Sequence, residues 1–246
     1  MFHTVAYTAT GIAATDVDMT PIADNLMTVQ NGHFMPQFDA RLMYAFVGGL
    51  TQTKAKIVTP SIRQICSQEI RPLDNAAHPV SLPAIANYAN NPFTLKGLEE
   101  ISVVMRNTST AVVQAVLGLS LTPVMPAPQG NIYTIRGTGT TTLTALGWTS
   151  VTITWSDSLP TGTYLCVGLA AFAATCVAAR LTFENQWERP GCVGTDLVTS
   201  QEWPMFHRGN MGVWGSFHSY RMPSVEFLSV SADTVQTVFM DFIKVG

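Results

Sequence analysis

Five histidines and four cysteines are the residues of this chain best suited to chemistry, and their spacing assembles no known catalytic or metal-binding motif. His3 is near the start, His33 sits in a turn (Gln-Asn-Gly-His-Phe), His78 follows Asn-Ala-Ala, and His207 and His218 share a long late segment. There is no H-E-x-x-H, no Cys/His cluster at ligand spacing and no D-x-D-x-D-G loop, so neither a metal nor another cofactor is expected. Gly212-Val-Trp-Gly215-Ser216 is off by one from a nucleophile elbow and lacks the following glycine. A β-sandwich hydrolase would need His207 or His218 beside a carboxylate to act as an oriented base. Glu99-Glu100 would point to opposite faces if they began a strand, which argues against a glycosidase pair. Gly137-Thr-Gly139-Thr lacks the lysine of a phosphate loop and reads as a turn. No catalytic residue is nominated, and the chain is not read as an enzyme.

Cys66, Cys166, Cys176 and Cys192 include no C-x-x-C pair, and Met1 leads into polar, strand-like sequence rather than a secretory signal, so they read as buried thiols. The most unusual stretch runs from Phe183 to Met222. It holds Trp187, Trp203, Phe206, Trp214, Phe217 and Tyr220 beside Arg189, Arg208 and Arg221. Aromatic and Arg residues are enriched at protein interfaces, and such a mixture can also stack on sugar rings. Trp187, Trp203, Phe206, Trp214 and Phe217 are therefore candidate intersubunit contacts, against the plainer reading of a small aromatic core under a loop.

Composition narrows the setting of these residues. In 246 residues the hydrophobic fraction is 47% while only 12% are charged, about half the usual share. Burial of the outside against neighbouring subunits explains that deficit, since interface cores are depleted of charge; a monomer covered by neutral polar residues is the alternative. With a net charge of -3 and no Lys/Arg cluster, the electrostatic footprint of a genome-binding protein is missing.

The elements are predicted to be strands. Short runs rich in Val, Ile, Thr, Tyr and Phe are bounded by Gly, Pro, Asn or Asp, and Val151, Ile153 and Trp155 alternate with Ser150, Thr152 and Thr154. Only Ile62–Ile70 and Leu82–Tyr88 suggest short helices. Four blocks recur in order at spacings between 120 and 126 residues: Tyr7 with Tyr133; Leu26–Val29 with Ser150–Ile153; Tyr44–Gly48 with Tyr164–Gly168 and Ala55–Ile57 with Ala179–Leu181; and Val103–Leu117 with Val225–Phe239. Collinear matches of this kind point to an internal duplication. They also dispose of an apparent membrane span, Tyr164–Ala179, because its counterpart Met43–Val58 carries Lys54 and Lys56; a pair of antiparallel strands fits both. Pro123, Pro126 and Pro128 mark a stiff connector, giving domains over 1–122 and 131–246 with a linker at 123–130.

Two tandem barrels of about eight strands each, charge-poor and without a catalytic motif, resemble the double jelly-roll major capsid proteins of tailless icosahedral viruses and phages, many of which enclose a membrane. The resemblance covers the whole chain and is one of architecture. It implies an all-β fold of two eight-stranded jelly-rolls, a homotrimer forming a pseudo-hexagonal capsomer, further minor capsid or membrane proteins as partners, no direct genome contact and a place in the virion. It implies synthesis in the host cytoplasm without a signal peptide or membrane span. A two-sandwich carbohydrate-binding or adhesin-like module is the alternative.

Overall fold

The computed structural model describes residues 2–24, 28–49, 52–70, 73–74, 85–195 and 203–245. It divides into two compact units, Thr4–Thr122 and Pro123–Gly246 together with Met1–His3.

The first unit is built on β1 (Phe2–Thr10), β2 (Ala40–Gly49), β3 (Gln52–Val58), β4 (Ser102–Asn107) and β5 (Val112–Ser120). One sheet runs Ala86–Asn87, β2, β5, β1, Thr20–Pro21, and a second runs Asp16–Asp18, β4, β3, Gln68–Ile70. β2 and β3 are consecutive in the chain but lie in different sheets and are not ladder partners, and the same holds for β4 and β5. That interleaving of two antiparallel sheets is the jelly-roll arrangement. Alternation places Val103 and Met105 of β4 against Ile57 and Ala55 of β3, all fully buried in one core with Val5, Tyr7 and Leu117. A small hairpin, Thr28–Gln30 with His33–Met35, turns on Asn31 and Gly32. Both have positive φ, the backbone that a two-residue hairpin loop requires and Asn-Gly supplies.

The second unit repeats this pairing with β6 (Tyr133–Gly139), β7 (Trp148–Val151), β8 (Thr163–Phe172), β9 (Cys176–Thr182), β10 (Gly191–Thr195), β11 (Gly215–His218), β12 (Ser224–Ser229) and β13 (Gln236–Lys244). β13 lies between β6 and β8 as β5 lies between β1 and β2, and β12 lies between β7 and β9 as β4 lies between Asp16–Asp18 and β3. A crossover recurs too. β10 is antiparallel to β9 and then parallel to β8, just as the chain that is antiparallel to β3 at Gln68–Ile70 runs parallel to β2 at Leu73–Asp74. The two halves thus share one topology.

Several expectations shift in register. The pairs Met105 with Ala55 and Phe227 with Ala179 occupy the same ladder positions, as the matched blocks require. Tyr44 and Tyr164 do not. Tyr44 opposes Gly118, between the core-facing Leu117 and Leu119, and so points away from the core, whereas Tyr164 stands on Phe242. Likewise Ser150 and Val151 pair as Asp16–Asp18 does, not as the separate hairpin at Thr28–Gln30. The expected strand over 149–155 is split: Trp148–Val151 ends one sheet and Thr154–Trp155 joins the other.

The apparent membrane span is β8 and β9, strands in different ladders rather than a hairpin, and no described helix is long and apolar enough to cross a membrane. The helix expected at Ile62–Ile70 is one turn at Pro60–Arg63, followed by strand Gln68–Ile70; Thr59 caps it by accepting from the Ile62 N–H, and Pro60 starts it. Of Leu82–Tyr88, Leu82 to Ala84 lie outside the described residues and Ala86–Asn87 is strand. Residues 123–130 contain no strand, and the Met125 carbonyl accepts from Val213 N–H. Cys166, Cys176 and Cys192 are free and buried, while Cys66 is free and exposed, which corrects the reading of four buried thiols.

Candidate functional site

The aromatic segment of the second unit separates into an inner and an outer set. Phe206, Trp214 and Phe217 are at most 7% exposed and fill the interior. β11 lies beside β8, so Phe217 opposes Tyr164 and stacks on it at 5.5 Å, and both rings meet Phe242 of β13 edge-on. Trp203 is half-buried with its indole Nε1 enclosed. Of the five candidate contact residues only Trp187, 67% exposed, offers a neighbour a broad surface, and Tyr220 is exposed on a nearby turn. The ordering has a local cause: Gln186 donates to the Ser216 carbonyl and accepts from the Ser216 N–H, tying the loop after Phe183 to β11. Arg221 pairs with Glu184 across the same two loops.

Among the described residues, the carboxylate that stands beside a late-segment histidine is that of Asp241, next to His207. It stands on the face of β13 opposite Met240 and Phe242, and its Oδ2 lies 3.4 Å from His207 Nδ1 and 2.8 Å from the Arg208 N–H, while Thr134 Oγ1 donates to Oδ1 at 2.6 Å. Gly168 is what lets the His207 loop approach β8, since a Cβ there would stand 2.8 Å from both Asp241 Oδ2 and the Phe206 carbonyl. Burial pushes the Asp241 carboxyl upward, but the hydrogen bonds from His207, Thr134 and the Arg208 amide outweigh it and hold the group below its ordinary value of 3.8. An ionised aspartate orienting a histidine is the base half of a hydrolytic triad. The cavity it adjoins, however, is only about 10 Å³ and is lined by Leu169, Phe172, Thr195, Trp203, Phe206 and His207, which leaves no room for a substrate. Sequence reasoning nominated His207 but missed Asp241, 34 positions later, because only the β8–β13 ladder brings them together.

The other histidines have separate settings. His3 is buried and bridges Arg189, His33 Nδ1 is 3.0 Å from Ser102 Oγ, and the His218 ring stands 4.0 Å from that of Tyr220. His78 lies outside the described residues. No group of three metal-ligating side chains occurs among the described residues. Glu99 and Glu100 also diverge: Glu99 is buried, accepting from the Ser61 and Lys96 N–H groups, and Glu100 meets Asn31 at the surface.

A larger cavity of about 380 Å³ opens at one end of the second unit. Tyr133, Tyr164 and Phe242 form its aromatic wall, Leu159 and Pro160 line it further, and Asp157 and Lys244 supply charge. Tyr133 stacks on Phe242 at 6.0 Å yet stays half exposed, so part of its ring is available to a ligand.

No protein-family model matches the chain, and no curated protein matches it in sequence. Among solved structures it is similar to the major capsid protein of bacteriophage PM2, at 10% identity over 100% of this chain and 98% of that one, with a TM-score of 0.28. It is also similar to the STIV MCP, at 7% identity over 99% and 97% of the two chains, with a TM-score of 0.29. The jelly-roll arrangement rests on the strand pairing itself, not on these likenesses.

Proposed function

We propose that this chain is a viral major capsid protein, a structural subunit of a self-assembling shell and not an enzyme. The observation that carries the reading is the recurrence of one jelly-roll pairing scheme, crossover included, in both halves of a single chain. Fold alone does not fix function, and the surface supplies the second support. With 12% charged residues, both units expose large apolar side chains, Phe38, Ile65 and Leu98 in the first and Trp187 and Tyr220 in the second. Side chains of this kind on a charge-poor surface suit burial against other copies. In this proposal, residues 1–122 and 131–246 are the two jelly-rolls joined through 123–130. Three copies form a pseudo-hexagonal capsomer, capsomers build an icosahedral virion shell, minor capsid or membrane proteins complete it, and the genome is not bound directly.

Light scattering over a concentration series, with negative-stain images of the same sample, tests this. A stable trimer or closed particles is the expected result; a monomer at every concentration overturns it. The aromatic cavity at Tyr133 favours one second reading, a carbohydrate-binding module, because an exposed tyrosine face beside Asp157 suits a sugar ring. That reading requires saturable glycan binding lost in Tyr133→Ala.

A further inference from the structure

Six side-chain polar atoms of the second unit are buried without a hydrogen-bond partner among the described residues, and three of them belong to residues lining the same small cavity: Thr195 Oγ1, Trp203 Nε1 and His207 Nε2. They come from the end of β10, from the residue before the short 3-10 turn Pro204–Phe206, and from the residue after it. Buried polar groups are almost always paired, so three orphans around one cavity need a common explanation. The other lining residues, Leu169, Ala170, Ala171, Phe172, Val193 and Phe206, have apolar side chains, so no other described side chain of the wall offers these atoms a partner.

We infer that this cavity holds one internal water molecule, bonded to Thr195, Trp203 and His207. Its size decides the ligand. About 10 Å³ is near the lower bound for a single water and excludes any organic molecule or polyatomic anion. The chemistry agrees atom by atom. His207 Nδ1 faces the Asp241 carboxylate, so in the neutral ring the proton sits on Nδ1 and Nε2 is left as an acceptor. Trp203 Nε1–H can only donate, and the Thr195 hydroxyl can do either. A water that donates to His207 Nε2 and to Thr195 Oγ1 while accepting from Trp203 satisfies all three atoms with three hydrogen bonds, the usual number for a buried water. It joins β10 to the loop that Asp241 fixes from the other side, extending the chain Thr134–Asp241–His207 to Thr195 and Trp203.

The test is a density map of the full chain at a resolution that resolves waters, together with the Thr195→Val and Thr195→Ser variants. A compact peak about 2.6–3.2 Å from the three atoms is expected. The same side chains around a featureless cavity, or a protein group filling it, overturns the inference. The isosteric variant has an opposite sign under the two cases. Replacing an unbonded buried hydroxyl by a methyl is neutral or stabilising, whereas removing a partner of a bound water destabilises. The Tm of Thr195→Val should therefore fall by about 2–4 °C, with Thr195→Ser closer to the native protein; an unchanged or raised Tm in Thr195→Val counts against the water. If Thr195→Val does not fold, a water cross-peak at the Trp203 indole N–H of the native protein, identified by its loss in Trp203→Phe, replaces it, and its absence overturns the inference.

Discussion

Trp187 and Trp214 are 27 positions apart in one aromatic segment, yet substitution of each should report on a different property. Trp214 is buried and donates its backbone N–H to the Cys166 carbonyl, so Trp214→Ala removes packing from the interior and should cost about 3–5 kcal/mol, seen as a lower denaturant midpoint of the monomer. Trp187 stands in solvent, so Trp187→Ala should change that midpoint by no more than about 0.5 kcal/mol while weakening self-association, read as a shift in the light-scattering concentration series. Unchanged assembly would remove Trp187 from the contact. Asp241 makes a separate prediction through pH. Its carboxyl is held low in the folded chain, so the stabilisation it brings is whole above about pH 4 and is lost as acid carries the pH down through the folded value. Asp241→Asn should cost about 1.5–3 kcal/mol at neutral pH, since charge-assisted hydrogen bonds to His207 and Arg208 are lost. The gap between variant and native Tm should then narrow on acidification; a gap that stays constant from neutral pH to pH 3 would mean that the carboxylate charge is not what matters.

The elements explain which sequence signals could be read and which could not. Strand identity was legible because β-branched and aromatic runs bounded by turn residues survive any topology. The duplication was legible at Ala55–Ile57 and Ala179–Leu181, where ladder partners Val103–Met105 and Val225–Phe227 shift with them. Elsewhere similar residues matched across a change of register: a spacing that is wrong by one turns a strand over, and Tyr44 and Tyr164 accordingly face opposite ways. Corners were not legible at all, since alternation in 149–155 continues through the point where the chain leaves one sheet for another. The one-turn helix Pro60–Arg63 shows the same limit. Its N-terminal Ser61 N–H donates at 2.9 Å to Glu99, 38 residues away in sequence, which also accepts from the Lys96 N–H at 2.9 Å, so a single buried carboxylate ties this turn to its own. Glu99→Ala should therefore cost about 1–3 kcal/mol, more than loss of an ordinary exposed cap, and should raise amide exchange at both Ser61 and Lys96. Exchange that rises at only one of them would show that the two turns are not coupled through Glu99.

At the scale of the whole molecule, the shortage of charge has a consequence for how copies would hold together. Charged residues are few and many are already used within a unit: Asp16 lies between Lys54 and Arg106, and Arg180 is sandwiched between Glu226 at 2.6 Å and the Trp148 ring at 4.1 Å. Contacts between copies, as the capsid proposal has them, must then draw mainly on apolar and neutral polar groups. Such contacts do not weaken when ions shorten the reach of electrostatic attraction to about 3 Å at 1 M salt, and excluded salts such as sulfate strengthen them. Assembly should therefore persist or increase between about 0.1 M and 1 M salt, followed by light scattering at fixed protein concentration. Near the pI of about 5.9, where repulsion between like-charged copies vanishes, it should be strongest. Dissociation of the assembled form by added salt would place the binding energy in ion pairs instead, and would move attention from Trp187 and Tyr220 to the few exposed charges.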